Sequence, residues 1–540
     1  MKYYPTIAII VVLLIASLVY SIPSWNGEDS SNIFSNIDDI RDFSDHTPSP
    51  DTVGYENGYH HSDRIAIDQS DGLSDEEFLP YISRAHARTE YILNLEFDKF
   101  IPVNVTTSSE FMKLNQKDDI NNDSDFSYSA WNNQVWEAIF IIGEDTTAES
   151  ELENTSGQSI AGFYDSTNDQ IVIVNDSDDD LRVISEKVLI HELVHALQDQ
   201  EGHFDTLYES APLLTQDSQL SAKGLSEGHA MYVEWYYDQV CDGFISTRNN
   251  SILEEVIWSD WQCVSDPTPS PDTSNSETNS LLPPVNFGAL IILFHPYSDG
   301  GAYVAHLKSQ NGWESVNEEY ASPPISTEQI IHLSKEKPSP LGLNFPEEGI
   351  PSHTGGTWKS NPDHGINGAD TVGEASIFSM FWHQSREYNA NAIPTNTFWN
   401  SRDPSQNPSD PQPPTTFNYV SPPSAGWGND KLLPIYRSRI DQDAPENQAI
   451  VTEYGYIWAT KWDTPLDADE FHTAYSKILI AHDATKIGMS NDGKTTLWVI
   501  QNGPFADAFA ISTTSKTITI VNAPTPADVE EILTSFSLAV

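Results

Sequence analysis

The segment VLIHELVHALQDQ, Val188–Gln200, places His191 and His195 four residues apart, with Glu192 directly after the first. Residues at that spacing share one side of a helix, so both imidazoles can face one ion. Neutral imidazole nitrogen is a ligand that Zn²⁺ accepts in a tetrahedral site. Glu192 is placed to reach a water on the metal without binding the metal itself. It can take the proton of that water and pass it to a leaving amine. Val188, Leu189, Val194 and Leu197 supply the apolar back face that such a helix needs. The competing reading is a structural helix that happens to carry two histidines. A glutamate buried between them would be costly without a charge partner, and a metal ion is a natural one.

A catalytic zinc needs a third protein ligand and an open position. The extended pattern with glycine at 198 and histidine at 201 is not met, because those positions are Gln198 and Glu201. His203 lies two residues out of register. Glu227, in GLSEGHAMYVEWYYDQVC, is the preferred third ligand. It opens a second helical run with apolar Leu225, Met231 and Val233, and Gly228 and Ala230 would let two helices approach closely. His229 and Glu234 are the rivals on the same run.

The elements around these residues read as follows. Ser74 is a plausible cap for a helix through SDEEFLPYISRAHARTEYILNLEF, and FIPVNVTTSSEFMKL reads as a strand leading into a short helix. Runs at Ala161–Tyr164 and Gln170–Val174, around the turn-like DSTND, predict a hairpin. The histidine helix is expected to begin near Leu181, capped by the carboxylates of Asp176–Asp180. An EF-hand is excluded there, since Leu181 and Lys187 stand where its glycine and distal glutamate belong. Asp266–Pro284, Pro338–Gly368 and Tyr388–Gly426 read as loops. From about Leu432, strand-like runs alternate with helices, and Trp427, Trp458 and Trp462 read as sheet packing rather than a carbohydrate platform. The fold class is α+β, with a first region over 75–340 that holds the histidine helix and a C-terminal α+β region over 341–540.

Eighty acidic residues against 26 basic ones give a formal charge of −54. That surface repels nucleic acid and anionic membranes, and it suits saline surroundings. Lys2 precedes the apolar run Thr6–Ile22, and acidic residues follow it, so the rest of the chain is expected outside the membrane. The run is either a cleaved signal peptide or a retained anchor, and residues 23–74 read as a disordered acidic stalk. Cys241 and Cys263, the two cysteines, are expected to pair in an oxidising compartment. Sequons at Asn104, Asn122, Asn154, Asn175 and Asn249 are compatible with a glycosylated surface.

With AGFYD, HELVHALQDQ and GLSEGHAMYVE in this order, the chain resembles the gluzincin class of zinc metallopeptidases. More closely it resembles a family of exported HExxH surface proteins of archaea and bacteria. HPYSDGGAYVAHLKSQNGWESVNEEYASPPISTEQIIH, GWGNDKLLPIY and WATKWDTPLDADEFHTAY extend the likeness from about residue 80 to the end. The resemblance implies a zincin-like core, Zn²⁺ held by His191, His195 and Glu227, and Glu192 as general base. It also implies Tyr297 or His332 as a donor to the developing oxyanion, and AGFYD as the strand that pairs with substrate. Several gluzincins carry an aspartate four residues after the ligand glutamate. Here that position is Met231, which leaves Asp199 as the expected support for a ligand histidine. A peptide or protein is the implied substrate. The alternatives are a zinc hydrolase of a non-peptide envelope polymer and a non-catalytic surface protein with the same fold.

Overall fold

The computed structural model describes residues 52–535, apart from 108–127, 157–160, 176–181, 211–213, 243–244, 247–250, 253–260, 264–285, 335, 337, 339–356, 396–398, 402–414, 420–422, 441–449 and 491–492. The run Thr6–Ile22, residues 23–51 of the stalk, Asp176–Asp180, Asp266–Pro284 and two of the sequons (Asn122 and Asn249) lie outside the described residues. So does the short helix expected after FIPVNVTT. The rest of the expected stalk, 52–74, is ordered instead of disordered: Tyr55–Glu56 pairs with Tyr59–His60, and the Gly54 N–H donates to the buried Glu90. Among the described residues no helix is long and apolar enough to cross a membrane.

The chain is α+β. In order it forms α1 (Asp75–Leu93), β1 (Val103–Thr106), α2 (Tyr128–Ala138), α3 (Ala148–Ser156), β2 (Gly162–Asp165), β3 (Gln170–Val174), α4 (Glu186–Gln200), α5 (His203–Ser210) and α6 (Gln216–Cys241). Helices α7 (Phe287–Asn311), α8 (Trp313–Ala321), α9 (Thr327–Ile331) and α10 (Gly373–Glu387) follow. The C-terminal part contributes β4 (Trp427–Ile440), β5 (Ile450–Trp462), α11 (Pro465–Ala481), β6 (Thr485–Met489), β7 (Thr495–Val499), β8 (Ala508–Thr514), β9 (Thr517–Ala523) and α12 (Pro526–Ser535).

Two sheets organise these elements. The smaller has the order β1-β3-β2, with β1 parallel and β2 antiparallel to β3, so β2 is an edge strand. The larger is antiparallel in the order β4-β5-β9-β8-β7-β6. The expected hairpin is β2–β3, and Ser74 caps α1 in a capping box with Glu77. The histidine helix starts later than expected. Ser185 is its N-cap, and its side chain accepts from the Val188 N–H.

One apolar core surrounds α4. Leu189, Leu193 and Leu197 pack with Tyr81, Ile171 and Val233. A second core joins early and late parts of the chain, bringing Trp131 and Ile292 together with Phe381, Trp458 and Phe471. Trp427, Trp458 and Trp462 are fully buried, and the first two donate their indole N–H to Asp430. Parts of the expected loops are built into this structure. Trp358 is buried beneath Arg437, and Tyr419 bonds His295 and Asp299.

Helices α6 and α7 cross in backbone contact. A Cβ on Gly228 would lie 2.2 Å from the Gly300 carbonyl carbon, and one on Gly300 would lie 2.2 Å from the Gly224 oxygen. The close approach expected at Gly228 is therefore real, and its partner is α7.

The first residue of α4 is gripped from two sides. The buried Glu186 carboxylate receives Arg88 Nη1 at 2.6 Å and Arg84 Nη2 at 3.3 Å from α1, and the Tyr237 hydroxyl at 2.9 Å from α6. Arg88 also lies over Trp261, close in sequence to the Cys241–Cys263 disulfide that closes the end of α6. Removing the carboxylate leaves two buried guanidinium groups without their counter-charge. Glu186→Ala is therefore expected to destabilise the protein by about 3–5 kcal/mol. Chemical denaturation checks this, and a loss below 1 kcal/mol would show that the clamp is dispensable.

Candidate metal centre

His191 and His195 project from the middle of α4 toward Glu227 in the middle of α6. Their Nε2 atoms each lie 3.3 Å from Glu227 Oε2, and the three ligand atoms fall within 4.8 Å of one another. Two ligand atoms about 2.05 Å from a tetrahedral ion stand about 3.3 Å apart, so the two His–Glu spacings are compatible with a shared metal ion. All three side chains are buried, and they form a group that could hold a metal ion.

The opposite edge of each imidazole also has a partner. His195 Nδ1 contacts Gln198 Oε1 at 2.9 Å, and the Gln198 amide nitrogen donates to the Ser226 carbonyl of α6. His191 Nδ1 faces Glu234 Oε2 at 3.5 Å, and Glu234 is paired in turn with Lys187 at 3.3 Å. The Gln198 acceptor keeps the proton of His195 on Nδ1 and its Nε2 lone pair pointing inward, while the Glu234 carboxylate, at 3.5 Å without a hydrogen bond, favours the same tautomer of His191 by its charge. Asp199 does not play the supporting role expected of it, since its carboxylate accepts from the Tyr164 hydroxyl at 2.8 Å. Glu234 takes that role from two turns beyond Glu227. Gln198 and Glu234 were both legible as helical neighbours of the ligands, at i+3 and i+7.

The electrostatics favour positive charge at the centre. Burial works against a charged His191, yet Glu227 and Glu234 outweigh it and lift its pKa to about 10. Burial likewise opposes charge on His195, and Glu227 reverses it. Burial opposes ionisation of Glu227, but His195 and His191 hold its carboxyl well below the usual range. What protons achieve here, a divalent cation achieves with more charge. Glu192 is also fully buried. Burial pushes its carboxyl upward against the pull of His191 and His195; it accepts a backbone hydrogen bond from Tyr164, and its Oε2 has no partner.

The other candidates separate clearly. Tyr297 on α7 is buried and its ring lies parallel to His191, with centroids 6.2 Å apart, so it belongs to this site. His332 does not. It ends α9 with its side chain 49% exposed, pairs with Glu374 at 2.9 Å, and has Glu374, Glu328 and Asp463 as its charged neighbours. Of the two rival ligands, His229 turns its Nδ1 to the Tyr320 hydroxyl and Glu234 stands behind His191, so neither joins the cluster, and the out-of-register His203 stacks on Tyr320. Lining up His332 with the site from sequence failed because its partner lies far along the chain, beyond a long loop.

Residues 363–533 match a family described as a domain of unknown function, DUF8575. The match runs from the segment before α10 into α12, just under a third of the chain, and the metal centre lies outside it. No curated protein and no solved structure matches the chain.

Removing the acceptors behind the rings is expected to loosen the site without touching a ligand. Glu234→Ala and Gln198→Ala should each weaken metal affinity by about 10–100-fold in a competitive chelator titration. Asp199→Asn should leave it at the parent value.

Proposed function

We propose that the protein is an exported zinc-dependent hydrolase of peptide bonds, with His191, His195 and Glu227 as zinc ligands and Glu192 as general base. The observation that carries this reading is the convergence of both Nε2 atoms on one Glu227 oxygen, with an acceptor behind each ring and an unpartnered Glu192 oxygen alongside. Sheet β1-β3-β2 beside α4 is compatible with a zincin-like core.

Bound by these residues, zinc would supply Lewis-acid polarisation of the scissile carbonyl and a lowered pKa for the attacking water. The chain's own groups do the rest. Glu192 is aimed by the Tyr164 N–H and keeps its second oxygen free, so it can accept a proton there and later release it to the leaving amine. Its burial raises its proton affinity in the direction this role requires. Tyr297, stacked beside His191, is the candidate donor to the carbonyl oxygen.

A peptide substrate is favoured over other carbonyl compounds by β2. It is an edge strand, and its Tyr164 N–H meets Glu192 instead of the sheet. An extended chain added along that edge would pass the general base. The disulfide and the leading apolar run support action outside the cytoplasm.

Elemental analysis and a peptide-library digest test the reading together. One zinc per chain is expected, lost in Glu227→Ala. Glu192→Gln should retain the zinc while hydrolysis falls by about 10²–10⁴-fold. A wild-type protein without zinc would refute the metal site. Zinc with no cleavage of any peptide would instead refute the peptidase and favour an envelope polymer or a structural metal.

A further inference from the structure

A cavity of about 650 Å³ opens behind α4, on the side of the helix away from Glu192. That volume falls within the range of about 300–1,000 Å³ typical of small-molecule sites. Leu93, Val194 and Leu197 form apolar walls, with the half-buried Trp313 indole beside them. Among the lining groups, His229 is fully buried and its Nε2 has no hydrogen-bond partner, its other nitrogen being engaged with Tyr320. Leaving a buried polar atom unmatched is unfavourable, and a ligand atom can satisfy it. Gln198 also lines the cavity, but its amide is committed at both ends to His195 and Ser226. His203 lines it too, with a buried Nδ1 that likewise has no hydrogen-bond partner, so a ligand draws its polar contacts from His229, His203 and the mouth.

The mouth is acidic. Glu201, Glu314 and Glu318 line the cavity and are exposed, while no lysine or arginine lines it. Lys308 stands over the Trp313 ring at 4.9 Å and already occupies that indole, and against this one cation the three carboxylates keep the mouth negative. We propose that this cavity binds an amphipathic organic cation, with its apolar body against Leu93, Val194 and Leu197 and its ammonium or guanidinium group at the mouth. Anions of the same shape are rejected by the carboxylates. The site is separate from the metal centre, and its occupancy is measurable whether or not the protein hydrolyses anything.

Calorimetric titration with three probes that share a phenol body tests the proposal: tyramine, neutral tyrosol and anionic 4-hydroxyphenylacetate. The expected result is saturable binding of one tyramine per chain, weaker tyrosol binding and no binding of the anion. A chain this acidic attracts cations diffusely, so the decisive variant changes the mouth alone. Glu314→Gln combined with Glu318→Gln, both at exposed positions, should weaken tyramine by roughly twofold to twentyfold. Leu197→Trp, which fills the cavity, should abolish binding, with the folded state checked by circular dichroism. Equal affinity for all three probes would overturn the proposed ligand class. Non-saturating tyramine uptake, or uptake unchanged in the mouth variant, would overturn the site.

Discussion

Everything at the metal centre depends on the antiparallel pairing of α4 with α6, and that pairing is written in polar contacts. Glu186 meets Tyr237, His191 faces Glu234, His195 meets Glu227, and Gln198 bonds Ser226. Each step toward the C-terminus of α4 is a step toward the N-terminus of α6. Apolar packing alone would tolerate a slide between two helices, because leucine and valine contacts are non-directional. A ladder of buried polar groups does not tolerate it, since every rung would lose its partner at once. The Glu186 clamp anchors one end of this ladder to α1, and the centre inherits its geometry.

The cost of the arrangement explains its shape. Glu186, His191, Glu192, His195, Glu227 and Glu234 are all buried, and burial of charge is unfavourable unless each charge is answered. Glu186 is answered by two arginines and Glu234 by Lys187. For Glu227 the described partners are the two imidazoles, which balance it only by holding protons, and the Lys223 ammonium one turn earlier on α6. A divalent ion would answer the same charge while leaving both rings neutral. Glu192 keeps one oxygen unanswered, which is wasteful in a structural helix and useful in a general base.

How far the sequence disclosed this follows from how local each signal is. His191, His195, the β2–β3 hairpin and the Ser74 cap are short-range patterns, and each forms as its spacing implies. Glu227 was accessible because a run of apolar and small residues marked its helix, and Gly228 indeed sits where two backbones touch. The start of α4 was misjudged because Leu181, Val183 and Ile184 continue the apolar rhythm, while Ser185 is the stronger cap. Asp199 has the right spacing from His195 but turns to Tyr164, a contact that only the neighbouring strand supplies. The pairing of His332 with Glu374 and that of His295 with Tyr419 join segments separated by long loops, and no local pattern encodes them.

The region matched to DUF8575 reaches the centre through the far end of α6. The Gln216 N–H donates to Asp370, the Asp217 N–H to the Thr371 carbonyl, and the Gln216 side chain to Ser376. Asp430, from the large sheet, in turn accepts the N–H groups of Val372 and Gly373 at the start of α10. Gly373 is required there: its φ is +78°, and a Cβ would lie 2.0 Å from the Asp217 carboxylate. Helix α6 is thus held at its N-terminus by the C-terminal region and at its C-terminus by Tyr237 and the disulfide, with Glu227 between the two anchors. A rigid helix gripped at both ends cannot rotate Glu227 away from the histidines without disturbing one of them. The C-terminal region therefore contributes to the centre by fixing the axis of α6, although among the described residues it supplies none of the three clustered ligands.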